Sequence, residues 1–181
     1  MHITNIAAQP DGWTRFNLNV GGFTIRNCRW NPAAGQVLFP LRYSQRGGRH
    51  RVIRVYGRTV LALRTMLEQG IAKAPRDRRP CVLRIHRLHR SHWTDWGWYI
   101  FDFTVRGFTI LGCRWHPDSG SIQLPVTFLP FDERTADYPM KRVICSWGPH
   151  INRLRRALED RFYGPADQGD HQALDAELAA S

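Results

Sequence analysis

Two nearly identical runs, GFTIRNCRW at residues 22–30 and GFTILGCRW at residues 107–115, each end in an arginine beside a tryptophan. Guanidinium groups fork onto phosphates and stack flat on rings, and indoles offer faces on which unpaired bases stack. Such a pattern points to binding a polyanion rather than to bond-making chemistry. The charge agrees: 26 Lys and Arg against 15 Asp and Glu leave a formal +11. A sustained positive potential of that kind implies a polyanionic partner, with nucleic acid the commonest and an acidic membrane surface its rival.

Catalytic alternatives find less support. No GxSxG, phosphate loop, HExxH or repeated Cys–His arrangement occurs. Asp102, Asp118, Asp132, Glu133 and Asp137 fall only in the second half of the chain, so a metal-dependent nuclease has no spacing to select it. His86, His89 and His92 recur at intervals of three, which on a regular strand sends successive imidazoles to opposite faces. No metal and no cofactor is therefore expected. Cys28, Cys81, Cys113 and Cys145 form no CxxC pair and read as reduced core thiols. No stretch approaches the roughly 20 apolar residues of a membrane span, and residues 1–9 lack the pattern of a signal peptide. The expectation is a cytoplasmic protein that makes no membrane contact.

The elements that must position these residues come in pairs. Sliding the chain by 85 positions aligns residues 12–40 with 97–125 without a gap, and 14 of the 29 pairs are identical. Beyond the prolines the offset becomes 91, matching residues 51–53 with 142–144 and the apolar set Val60, Leu63 and Leu67 with Ile151, Leu154 and Leu158. Two copies must satisfy one backbone plan. Phe16, Leu18 and Val20, and their counterparts Phe101, Phe103 and Val105, alternate as half-buried strands do. The next strand keeps Phe23, Ile25, Cys28 and Trp30 on the core side only if one residue is extra, so a β-bulge is placed at Asn27 and at Gly112. Trp30 and Trp115 are assigned to the core. A third strand is expected over residues 37–43 and 122–128, and a fourth over 51–56 and 141–147 whose facing stays open. Helices follow, with Pro149 suited to the first turn of the second. Residues 3–6 and 81–88 read as further strands.

The reading is an α+β protein of two tandem βββ(β)α repeats, antiparallel sheet plus helix, packed as a pseudo-twofold intramolecular dimer. Residues 1–71 form the first repeat, 72–80 a linker, 81–163 the second repeat, and 164–181 an acidic, largely flexible tail. Outward-facing positions are then Trp13, Arg15, Arg26, Arg29 and Arg42 in the first repeat, and Trp98, Arg106 and Arg114 in the second.

Residues 23–30 followed by Gly35 and Pro40 resemble the core of the stage V sporulation protein G family, in which a strand ending in arginine precedes a glycine turn, a short apolar strand, a proline, a basic loop and a helix. Phe23, Arg29, Gly35 and Pro40 match that pattern, as do Phe108, Arg114, Gly120 and Pro125. The resemblance covers about 45 residues of each half. It departs in fusing two copies where the family pairs separate subunits, and in lacking the family's usual serine after the proline. It implies DNA or RNA binding in bacterial transcription regulation through the basic loop (Arg42, Arg46, Arg49, Arg51) and the helix (Arg58, Arg64). The second copy carries Asp132, Glu133 and Asp137 in that loop instead. The layout is also similar, as architecture only, to the purine-rich-element-binding and Whirly families.

The expected function is a non-enzymatic nucleic-acid-binding protein that grips single-stranded DNA or RNA on its Arg/Trp surfaces. Two alternatives stand beside it: a duplex-DNA-binding transcriptional regulator, and a protein–protein interaction module whose charge is incidental. A homo-oligomer beyond the internal pseudo-dimer is compatible with all three.

Overall fold

The structure, a computed structural model, describes residues 1–43, 48–74, 81–91, 97–127 and 141–164. Arg46, His92, Asp132, Glu133 and Asp137, most of the expected linker and the tail after Gly164 lie outside the described residues. Chain order is β1 (His2–Ala8), β2 (Thr14–Val20), β3 (Phe23–Asn31), β4 (Gln36–Leu38), β5 (Leu41–Tyr43), β6 (Arg49–Arg51), β7 (Ile53–Val55), α1 (Arg58–Glu68), β8 (Leu83–Arg90), β9 (Tyr99–Val105), β10 (Phe108–His116), β11 (Ser121–Gln123), β12 (Val126–Thr127), β13 (Lys141–Arg142), β14 (Ile144–Ser146) and α2 (Pro149–Tyr163). The fold is α+β, with antiparallel sheets and two helices.

Alternation of apolar and polar residues builds two main sheets. One runs β1-β2-β3-β14 with β4 also on β3, and the other β11-β10-β9-β8 with β7 also on β10. Each sheet thus borrows a short strand from the opposite half of the chain. Ile25 faces Ile144 and Phe23 faces Ser146, while Ile110 faces Ile53 and Phe108 faces Val55. The inner side chains of both sheets join in one core, where the Phe23 and Phe103 rings lie 4.8 Å apart. Fully burying a phenylalanine or isoleucine in this way is worth about 1.5–3 kcal/mol. Leu63 and Met66 of α1 and Leu154 and Leu158 of α2 close the core, and Phe162 extends α2 onto Tyr99 and Trp115 at 4.9 and 5.2 Å.

The bulges fall where the phase of the sequence requires them. Asn27 and Gly112 take positive φ of 58° and 69°, and the β2–β3 and β9–β10 registers slip beside them. Phe23, Ile25, Cys28 and Trp30 are buried and Arg26 is exposed. The N–H groups that the bulges displace do not go unused. Arg26 N donates to Val143 O at 2.8 Å, and Leu111 N donates to Val52 O at 3.0 Å.

Three expectations need correction. The single strand over residues 37–43 is two strands, β4 and β5, and its counterpart is β11 and β12; Pro40 and Pro125 lack the ladder N–H and push the preceding residue off regular pairing. The strand over 51–56 is likewise split. β6 pairs with β5, Val52 turns into the core, and β7 continues on β10. The histidines do not alternate between faces. A further bulge at Arg87, φ 53°, turns Leu88 toward the core and leaves His86 and His89 both exposed on the other side. Residues 72–74, the start of the expected linker, are hydrogen-bonded to β1 through Ile3 N to Ala72 O and Ala74 N to Met1 O. Among the described residues no helix is long and apolar enough to cross a membrane.

Candidate nucleic-acid interface

The N-termini of both helices and the β2–β3 and β9–β10 turns converge on one open groove of about 960 Å3. Gly57 and Gly148 precede the helices in left-handed conformations and supply no side-chain cap, and neither first turn contains an acidic residue. Packing here is tight. A methyl group on Gly22 would overlap the His150 ring, and one on Gly107 would overlap Thr59 Oγ1; both glycines also hold positive φ. Arg58, Lys73, Arg84, Arg106 and Arg153 line the groove with His2 and His150, and no carboxylate is among its described lining residues. Arg58 adds its cation to a helix end that is already positive. Such a concentration of positive charge attracts anions.

On the β2–β3 strands, Arg15 stands directly opposite Arg29. Like charges opposed across a sheet repel, and Arg29 finds compensation elsewhere. It is ion-paired to Asp11, and its guanidinium carbon lies 4.8 Å from the Trp13 ring centroid. The aligned position of the second half differs: Trp98 meets His116 edge-on at 5.4 Å. Behind the Arg26 bulge, the side-chain oxygen of Asn17 accepts the Asn27 N–H at 3.2 Å, and that of Asp102 accepts the Gly112 N–H at 2.8 Å. Asp102 is almost fully buried and also faces Arg87 at 3.5 Å. His86 bonds Thr104 Oγ1 at 2.9 Å and His89 turns back to the Arg87 carbonyl at 2.7 Å.

The residues named from the sequence are therefore distributed over several places. Arg15, Arg26, Arg49, Arg51 and Arg58 are exposed, whereas Trp13, Arg29, Arg42, Arg64, Trp98, Arg106 and Arg114 are half-buried. Arg58 and Arg106 share the groove, and Arg42 and Arg114 share a separate pocket. Arg64 is not presented as a free cation. Its guanidinium lies against Gly35 and reaches Glu68 at 4.0 Å, as Arg155 of α2 bonds Gly120 O at 2.9 Å.

Sequence reasoning missed His2, Lys73, Arg84, His150 and Arg153 in the groove and Arg142 in the pocket. Arg153 aligns with Ala62 and His150 with Thr59, so a search for features common to both copies passes over them. Arg84 was accessible, because it occupies the outward phase between Leu83 and Ile85. Comparison with protein-family models, with curated proteins and with solved structures finds no match.

Proposed function

We propose that the protein binds nucleic acid without catalysis, holding single-stranded DNA or RNA along the groove between the two helix N-termini. The carrying observation is the composition of that groove: five cations and two histidines, with no carboxylate among the described lining residues. A backbone carrying one phosphate per nucleotide is the common polymer that meets such a surface along its length. Trp13 and Trp98 do not line the groove; half-exposed at the opposite ends of β2 and β9, beside the guanidinium of Arg29 and the imidazole of His116, they supply rings for stacking by bases of a strand that continues beyond it. The exposed Arg49 and Arg51 of β6 extend the cationic surface.

On this reading the chain is a tandem duplication folded as a pseudo-twofold intramolecular dimer. Support comes from the aligned positions: Ile25–Ile144 and Ile110–Ile53 pair in the same way, and His150 on Gly22 matches Thr59 on Gly107. Duplication places both helix N-termini at one groove. The likeness to the stage V sporulation protein G family, a role in transcription regulation and a cytoplasmic setting belong to the same proposal.

Titration of the full chain with short single strands and with duplexes of the same sequence, at several salt concentrations, tests it. Single strands are expected to bind more tightly, with tryptophan quenching and a log–log salt slope of about −0.7 per phosphate contacted. No binding to either form at low salt would overturn the reading in favour of a protein-interaction module. Duplex preference would move it to the regulator alternative.

A further inference from the structure

A second cavity, of about 490 Å3, opens where the β5 strand of the first half meets β10, β12 and β14. Its volume falls in the roughly 300–1,000 Å3 range of small-ligand sites. Arg42, Arg114 and Arg142 line it, and no acidic residue does among the described residues. Arg42 and Arg114 are both half-buried; burial first, and then the Arg114 charge, lowers the Arg42 pKa from its ordinary value. Asp102, bonded to the backbone N–H of the lining residue Gly112, is committed to that bond and to Arg87 and does not line the cavity. Gathering like-charged guanidiniums on one cavity costs stability that a bound anion would return. The remaining wall is mostly apolar, with Leu124, Pro125 and the exposed indole of Trp147 beside the polar Gln123 and Ser146.

We infer that this cavity binds a phosphate monoester carried on a planar base, with Arg42, Arg114 and Arg142 on the phosphate and Trp147 against the ring. A monoester carries about −1.5 to −2 at neutral pH, which matches three arginines lining one cavity better than the single charge of an internal diester. The ligand is a nucleoside monophosphate, either free or as the phosphorylated 5′ end of a strand. Arg42 comes from the first half and Arg114 and Arg142 from the second, so the site exists only in the assembled chain. It is independent of strand binding in the helix groove.

Calorimetric titration of the full chain with nucleoside monophosphates, the matching nucleosides, and 5′-phosphorylated or 5′-hydroxyl oligonucleotides tests the inference. A phosphate-dependent gain of about tenfold to a hundredfold is expected in at least one pair, as for charge-assisted hydrogen bonds to a buried group. A gain with the free mononucleotides assigns the site to them; a gain confined to oligonucleotides assigns it to strand ends. Arg42→Ala and Arg114→Ala should abolish the gain, Trp147→Leu should weaken binding of the base, and Arg58→Ala with Arg153→Ala should leave the gain intact. The ligand comparison needs no variant, so misfolding of one cannot rescue the idea. Equal binding with and without the phosphate in both pairs overturns it, as does a gain that survives Arg42→Ala in a folded protein.

Discussion

The guanidinium carbon of Arg29 sits 4.8 Å from the centre of the Trp13 ring while its nitrogen is ion-paired to Asp11. Arg15 faces Arg29 across the strand pair, so Asp11 and Trp13 hold in place a cation that would otherwise be repelled. Asp11 is also a competitor for any phosphate that reaches Arg29. Asp11→Asn should therefore tighten single-strand binding and steepen its salt dependence, whereas Arg29→Ala should weaken binding and reduce the tryptophan quench. Stability should change little in either case, because exposed ion pairs contribute about 0–1 kcal/mol. Fluorescence titration of the two variants checks the opposite signs.

His150 rests on Gly22 and Thr59 on Gly107, each helix start lying against a turn of the other half. Gly22→Ala adds a methyl group where the imidazole stands and places a side chain at φ 89°. It should destabilise by about 2–3 kcal/mol, from strain in the left-handed region together with the clash. Combining it with His150→Ala should recover the clash but not the strain. Denaturant unfolding of the double-mutant cycle measures the coupling, and strict additivity would contradict the cross-half contact.

Asn27 and Gly112 offer an internal control for the bulges. Asn27→Gly should be neutral or slightly stabilising, since the second half already uses glycine there. Asn27→Val should cost about 1–2 kcal/mol, because a β-branched residue resists positive φ. In a chain of this size each kcal/mol moves the melting temperature by about 2–4 °C, which calorimetry resolves.

Burial pushes the Cys28 thiol well above its ordinary pKa, and burial followed by the Asp102 charge does the same for Cys113. In the unfolded chain both ionise near pH 8.5. Above that pH the native state retains protons that the unfolded state has lost, so stability falls as pH rises, by up to about 1.4 kcal/mol per unit for each thiol. Below pH 8.5 this contribution is fully present. Alkylation of the native protein should accordingly modify Cys81, which is partly exposed, and spare Cys28 and Cys113 until unfolding.

Much of the fold could be read from the chain because two similar stretches of sequence constrain each other. Phe16, Leu18 and Val20 had to share the phase of Phe101, Phe103 and Val105, and the bulge at Asn27 followed from keeping Arg29 out of the core while Trp30 went in. What escaped was non-local. Nothing in residues 51–56 states that Ile53 pairs with Ile110 rather than with its own half, since the choice depends on where the Val52 kink sends the strand. The bulge at Arg87 has a counterpart at Asn5, also at φ 53° with the same slip in the β1–β2 register, but the two stretches share too little sequence for either to reveal the other. The site was less legible still. Arg58, Lys73, Arg84 and Arg153 are far apart in sequence and become one groove only through the crossing of the halves.

The most direct test of the central claim is the salt dependence of single-strand affinity for the full chain and for Arg58→Ala/Arg153→Ala, two groove cations that the core does not need. Both residues are exposed, so the variant should melt as the parent does. The account predicts weaker binding at low salt and a log–log slope shallower by about 1.4, two contacts at about 0.7 each. An unchanged affinity and slope in the folded variant would contradict it and place the strand elsewhere on the protein.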